Sequence, residues 1–210
     1  MCNGQLIEII KKRRSIRRYK PDPPPEEWIE EIIKATIWAP SPSNLQPVRF
    51  VRIDSKGLLN KIQKEIEKGK ERLLKRLISE KIKKRVNLYY ERYCKFMFDA
   101  PVIFVVGIKS EKQSLFEKIK EEGLKVSYYN ENFAMEISLG ISVSYFLLKA
   151  EELGLGTCVL TSPFLFIENI NHIIGIKDIT FRCFITLGFP DESPLPPERI
   201  PVSEVYMLAR

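Results

Sequence analysis

The residues best suited to chemistry fall in two short segments near the start of the 210-residue chain. They are Arg13-Arg14-Ser15-Ile16-Arg17 and Ala39-Pro40-Ser41-Pro42-Ser43-Asn44-Leu45-Gln46-Pro47. Guanidinium groups grip phosphate through paired hydrogen bonds and a serine hydroxyl adds a neutral donor, so Arg13, Arg14, Ser15 and Arg17 could hold a phosphate. A charged hydrogen bond of this kind is worth about 1.5–3 kcal/mol. The second segment sets hydroxyls and amides (Ser41, Ser43, Asn44, Gln46) between prolines and could hold a planar heterocycle. Taken from the residues alone, plainer readings stay open. The first segment could be the basic end of a helix, and Pro40 and Pro42 could simply stop another.

The elements around these segments can be read from periodicity. Gln5 to about Arg13 reads as a helix, with Leu6, Ile9 and Ile10 apolar and basic residues at its end, where the macrodipole favours them. Pro21, Pro23, Pro24 and Pro25 hold the next stretch extended, and Pro25 followed by two glutamates opens a helix that runs to about Trp38. Its apolar face is Ile29, Ile32, Ile33 and Thr36/Ile37. Val48–Ile53 and Val102–Ile108 are β-branched runs suited to buried strands. A long helix is expected from about Tyr128 to Leu153, with Phe133, Ile137, Ile141, Tyr145 and Leu148 on one line and Ala134, Ser138, Gly140 and Ser142 keeping other positions small. Gly154-Leu155-Gly156 ends it. Thr157–Thr161 and Phe181–Phe189 read as strands, and after a proline-rich excursion Val202–Leu208 could add a last one. Helices and strands mix without βαβ alternation, which gives an α+β class and one domain over residues 1–210.

Composition excludes several functions. Cys2, Cys94, Cys158 and Cys183 lie far apart with no C-x-x-C pair, and His172 is the only histidine, which argues against a metal site, a disulfide framework or a nucleophilic triad. Gly154-Leu155-Gly156 follows a helix and lacks a third glycine, so it is no dinucleotide fingerprint. No run of about 18 apolar residues is evident. The opening Met1-Cys2-Asn3-Gly4-Gln5 lacks the order of a secretion signal, so a cytoplasmic protein is expected and no membrane partner. The net charge of +7 gathers between Lys56 and Lys95, where Leu58, Ile62, Ile66, Leu73, Leu77, Ile78, Ile82 and Val86 recur at helical spacing. That pattern makes the cations a wet helix face and argues against nucleic acid.

The two opening segments, joined by a single helical span, resemble the FMN-dependent nitroreductase family, whose members carry R-x-S-x-R/K and then A-P-S-x-x-N-x-Q-P. The resemblance implies an α+β, nitroreductase-like fold: a central, mainly antiparallel sheet flanked by helices, with an extended C-terminal segment. It implies FMN as cofactor and NADH or NADPH as electron donor. Arg13 and Ser15 would take the phosphate, with Arg14 beside them, and Arg17 would reach the pyrimidine end of the ring and favour its reduced form. The loop of Pro40, Ser41, Pro42, Ser43, Asn44 and Gln46 would cross a homodimer interface to cover the partner's flavin, leaving a monomer inactive. By the same resemblance Leu160, Thr161 and Ser162 would end a strand beside the ring. Leu187-Gly188-Phe189-Pro190 and Arg199-Ile200-Pro201 match later elements, with Arg199 completing the phosphate site. The family's lysine two positions before is Pro197 here, which implies weaker cofactor binding.

On this resemblance the chain is an NAD(P)H-dependent flavin oxidoreductase reducing a small acceptor, such as a nitroaromatic or quinone, by a ping-pong mechanism. No catalytic side chain is expected, because the cofactor carries the chemistry. A reductive dehalogenase of the iodotyrosine deiodinase type is an alternative, with Glu91, Tyr93 and Lys95 available to clamp an amino-acid zwitterion. Flavin destruction is another branch. A third is a basic binding protein, without flavin, for nucleic acid or an acidic partner. The basic stretch from Lys56 to Lys95 matches no family element and hides the substrate.

Overall fold

A computed structural model describes residues 5–109, 119, 121–124 and 131–209. Its centre is a four-stranded, wholly antiparallel sheet in the order β1-β2-β4-β3, formed by β1 (Val48–Arg52), β2 (Val102–Lys109), β3 (Gly156–Leu160) and β4 (Ile179–Gly188). Strand β2 is an almost unbroken apolar run because both its faces are covered. Ile103 and Val105 belong to one core, and Val102, Phe104, Val106 and Ile108 to the other. The pairing of β2 and β4 slips one residue at Val106/Gly107. Gly107 is required there, since a Cβ would stand 2.6 Å from the Thr180 carbonyl oxygen.

One face carries α2 (Glu26–Thr36) and α5 (Glu131–Glu152), and the other carries α3 (Lys56–Arg76) and α4 (Glu80–Tyr93). Helix α1 (Gln5–Lys12) contacts α5, and α6 (Ile170–Ile174) packs on α3 and β4. In α3 the expected stripe is buried through Ile62 and Ile66. The stripe does not run on into Ile78, which is 95% exposed. The chain breaks at Leu77, and the Ser79 hydroxyl accepts the Ile82 N–H to start α4, so Ile78 sits in the turn between helices.

Helix α5 is long and apolar enough over Phe133–Glu152 to cross a membrane by length and composition, although polar and charged residues interrupt it. It packs instead within the core, with Phe146 and Ala150 fully buried and the Ser142 hydroxyl donating to the Thr36 carbonyl of α2. Ser138 and Ser142 are buried, Ser142 against α2, while Gly140 and the line of Phe133, Ile137 and Tyr145 are left exposed. The start expected at Tyr128 lies outside the described residues. The strand expected over Val202–Leu208 is absent: α7 (Val202–Val205) is one helical turn, and the residues after it are exposed without a sheet partner. Among the described residues no strand pairs with them.

Candidate functional site

The segment after α1 is pinned on both sides. Ser15 bridges Thr157 in parallel, and the Ile16 N–H donates to the Thr157 carbonyl at 2.9 Å. Gly156 allows this approach, because a Cβ there would lie 2.7 Å from Ile16 Cγ1. Further along, the Lys20 N–H donates to the Phe189 carbonyl (2.9 Å), and the Asp191 N–H to the Arg18 carbonyl (3.0 Å). Glu192 accepts the Arg17 N–H at 2.5 Å and the Arg18 N–H at 3.3 Å. Alternation along this extended run buries Ile16 and leaves Ser15 and Arg17 half-exposed. Beneath it the Tyr19 hydroxyl donates to the Ile16 carbonyl at 2.6 Å and shares a hydrogen bond with Thr186 at 2.7 Å. Burial pushes the Tyr19 phenol well above its ordinary range.

Ser15 and Arg17 open on a cleft of about 400 Å³ at the end of β3. Its remaining walls are Tyr89 and Tyr93 of α4, Phe96, and the run from Cys158 to Ser162. The Arg17 guanidinium lies 5.9 Å from the Phe96 ring centroid, and one of its nitrogens is 3.4 Å from the Ser15 carbonyl. Cys158 is buried against the floor. Burial raises its thiol pKa, and Arg17, the Ser15 hydroxyl and Arg13 only partly oppose this. It is a neutral wall and no nucleophile. Ser162 is buried, and its hydroxyl donates to the Tyr93 carbonyl, tying the end of α4 to the end of β3. Thr161, exposed at the rim, makes no side-chain hydrogen bond among the described residues, and Leu160 supplies apolar wall. Among the described residues no carboxylate lines this cleft.

The second segment lies elsewhere. Ala39, Pro40, Ser41 and Gln46 line a separate small cavity of about 80 Å³ against α5, sharing no residue with the cleft. Around it Ser43, Asn44 and Gln46 hold φ of +47°, +56° and +48°, the only non-glycine residues with positive φ among those described. The Ser41 hydroxyl accepts the Gln46 N–H at 2.9 Å, and Gln46 Nε2 donates to Asn44 Oδ1 at 3.2 Å. The Arg49 guanidinium closes the turn on the Gln46 carbonyl at 2.7 Å. Strained backbone of this sort persists where the surroundings over-determine it and collects at binding sites.

Three other expectations have distinct placements. Arg13 is half-buried beside the cleft without lining it. The Arg14 guanidinium turns back on the carbonyls of Lys11, Lys12 and Arg13 at 2.5–3.0 Å, closing the end of α1 beside a third cavity. Arg199 is exposed and lines none of these cavities. Of the three residues considered as a clamp, Tyr93 lines the cleft, while Glu91 and Lys95 bond each other at 3.0 Å in solvent. Sequence reasoning missed Tyr89 and Phe96. The signal was an aromatic spacing of four and three residues (Tyr89, Tyr93, Phe96) at the end of a charged helix.

Comparison with known proteins agrees with the fold. The chain is 32% identical over 168 residues to rat (Rattus norvegicus) iodotyrosine deiodinase 1, an alignment covering 78% of this chain. It spans about half the length of that relative, 54%. A BluB-like flavoprotein from Clostridium difficile 630 superposes with a TM-score of 0.87 at 27% identity, covering 98% of this chain and 99% of its own. A nitroreductase with bound FMN from Desulfitobacterium hafniense DCB-2 shares the fold with a TM-score of 0.71 at 21% identity, covering all of both chains. The family model described as the nitroreductase family matches residues 10–189, from the end of α1 through the last strand, and the chain belongs to that family.

Proposed function

We propose that this chain is an FMN-dependent oxidoreductase that takes hydride from NADH or NADPH and reduces a small acceptor, such as a nitroaromatic or a quinone, in a ping-pong cycle. The observation that carries the reading is the cleft at the end of β3, where a guanidinium and hydroxyls stand beside aromatic walls with no carboxylate lining it among the described residues. That donor set fits a flavin mononucleotide, and FMN, when bound, supplies the ring that accepts and donates hydride. The protein's share is binding, orientation and field. Arg17 would stabilise negative charge on a ring seated in the cleft, and the Thr161 hydroxyl or its backbone would bond the polar edge. Arg13 and Ser15 would take the phosphate, and Cys158 stays neutral beneath. No side chain in the cleft is placed as an acid or base.

The site would be completed by a second copy. The strained loop at Ser41–Gln46 sits apart from the cleft within one chain, yet carries the same family signature. Apolar side chains stand exposed around it and along α5, with Trp38 80% and Phe133 66% accessible. So does the C-terminal segment, through Leu195, Ile200, Tyr206 and Met207. These surfaces support a homodimer in which the loop of one protomer covers the cleft of its partner and Arg199 completes the phosphate site. Parallel double-reciprocal plots for reductant and acceptor would support the cycle, and intersecting lines would contradict it.

Reductive dehalogenation is the second reading, favoured by the similarity to iodotyrosine deiodinase 1. Against it stands the Glu91–Lys95 pair, which satisfies itself and leaves no preformed zwitterion clamp. Release of iodide from 3-iodotyrosine by the reduced protein would decide for this branch.

A further inference from the structure

We propose that the cleft selects aromatic acceptors that carry a negative charge, with Arg85 and Arg92 of α4 as its specificity-determining groups. This rests on the oxidoreductase reading and names its substrate class. The rings of Tyr89 and Tyr93 pack 5.2 Å apart at 56°, and with Phe96 they wall a slot suited to a flat ring. On a helix, residues three and four apart are neighbours, so Arg85, four before Tyr89, and Arg92, three after it, flank the same wall.

Both arginines are exposed, and among the described residues neither makes an ion pair. The acids of α4 are already committed: Glu80 to Lys83 at 2.6 Å, and Glu91 to Lys95 at 3.0 Å. Glu192, behind the cleft, accepts the Arg17 and Arg18 N–H groups and pairs with the Arg18 guanidinium at 3.4 Å. Among the described residues the unpaired charge beside Tyr89 on α4 is therefore positive. From Lys56 to Lys95 the chain carries 14 lysines and arginines against 5 glutamates, a surplus larger than the +7 of the whole chain. A concave site beside such a surplus draws anions in, and guanidinium forks suit carboxylates and sulfonates. The concave aromatic slot favours a small aromatic anion over a nucleic-acid strand as the match for this charge.

The test uses FMN-loaded protein and two near-isosteric ligands, 4-nitrobenzoate and 4-nitrobenzamide, each titrated by its perturbation of the bound FMN absorption. The benzoate is expected to bind about tenfold tighter at low ionic strength. The gap should close as salt rises to about 0.5 M. In the double variant Arg85→Gln/Arg92→Gln the two ligands should bind alike, with the amide unchanged. Equal binding in the unmodified protein, no binding of either ligand, or a preference that survives the double variant would overturn the inference. If FMN binds and is bleached by NADH or NADPH while the preference fails, the oxidoreductase reading stands alone. If FMN does not bind, both fall.

Discussion

Arg17 is the residue whose role the geometry narrows most, since its backbone is held by Glu192 and its guanidinium enters the cleft over Phe96. On the proposed reading, replacing it with alanine would remove charged hydrogen bonds to the flavin and nothing from the core. Arg17→Ala should therefore weaken FMN binding about 10- to 100-fold in a fluorescence titration, with the denaturation midpoint unchanged. Ser15→Ala, which removes a neutral donor, should cost less, about tenfold at most. The reverse order would contradict the role proposed for Arg17 at the ring. At this scale the sequence revealed the cations and hydroxyls because their chemistry is local. Tyr89 and Phe96 were not recognised because their place depends on a contact distant in sequence, the bond between Ser162 and the Tyr93 carbonyl that brings α4 to the end of β3.

Among the elements, the strained loop and the pinned segment make opposite predictions. Ser43 sits at φ +47° in a position where its side chain makes no described hydrogen bond, so glycine relieves a left-handed cost of about 1–2 kcal/mol, offset by glycine's unfolded-state entropy. Ser43→Gly should raise stability by up to about 1 kcal/mol by denaturant midpoint, and a loss of that size would show the hydroxyl to be structural. Gly156→Ala should do the reverse, because its Cβ would meet three Ile16 side-chain carbons within 2.9 Å. A loss of about 1–3 kcal/mol is expected, with weaker FMN binding as Ser15 and Arg17 are displaced. An unchanged midpoint would show that Ile16 yields at no cost.

The helices and inner strands were legible because burial imposes their periods on the sequence. The face of α5 was not assigned, since Phe133, Ile137 and Tyr145 look like core until Ser142 is seen bonded to α2. The final strand failed for a related reason. Extended apolar sequence needs an edge to pair with, and among the described residues no strand pairs with residues 202–208.

The whole molecule carries two further consequences. The exposed apolar surfaces of the loop, α5 and the C-terminal segment predict a dimer by sedimentation equilibrium, and removal of residues 194–210 should shift it to monomer with loss of FMN binding. A truncated protein that stays dimeric and binds FMN as before would place the interface elsewhere. The core thiols predict the alkaline limit of stability. Burial raises Cys94 and Cys183 from 9.0 to about 12, so the folded state holds their protons more firmly than the unfolded chain. Their contribution is fully present below pH 9 and is lost as pH rises toward 12. The denaturation midpoint should accordingly hold near neutrality and fall above about pH 9, and a midpoint that rises over that interval would contradict the burial.

We infer that the cleft at the end of β3 holds a redox-active flavin. The most direct measurement is the visible absorption spectrum of the purified protein as FMN and then NADH or NADPH are added without oxygen. Perturbed flavin bands should stay with the protein through gel filtration and bleach on addition of one of the two reductants. A spectrum identical to free FMN, with all the flavin eluting separately, would contradict it and turn attention to the basic surface of α3 and α4.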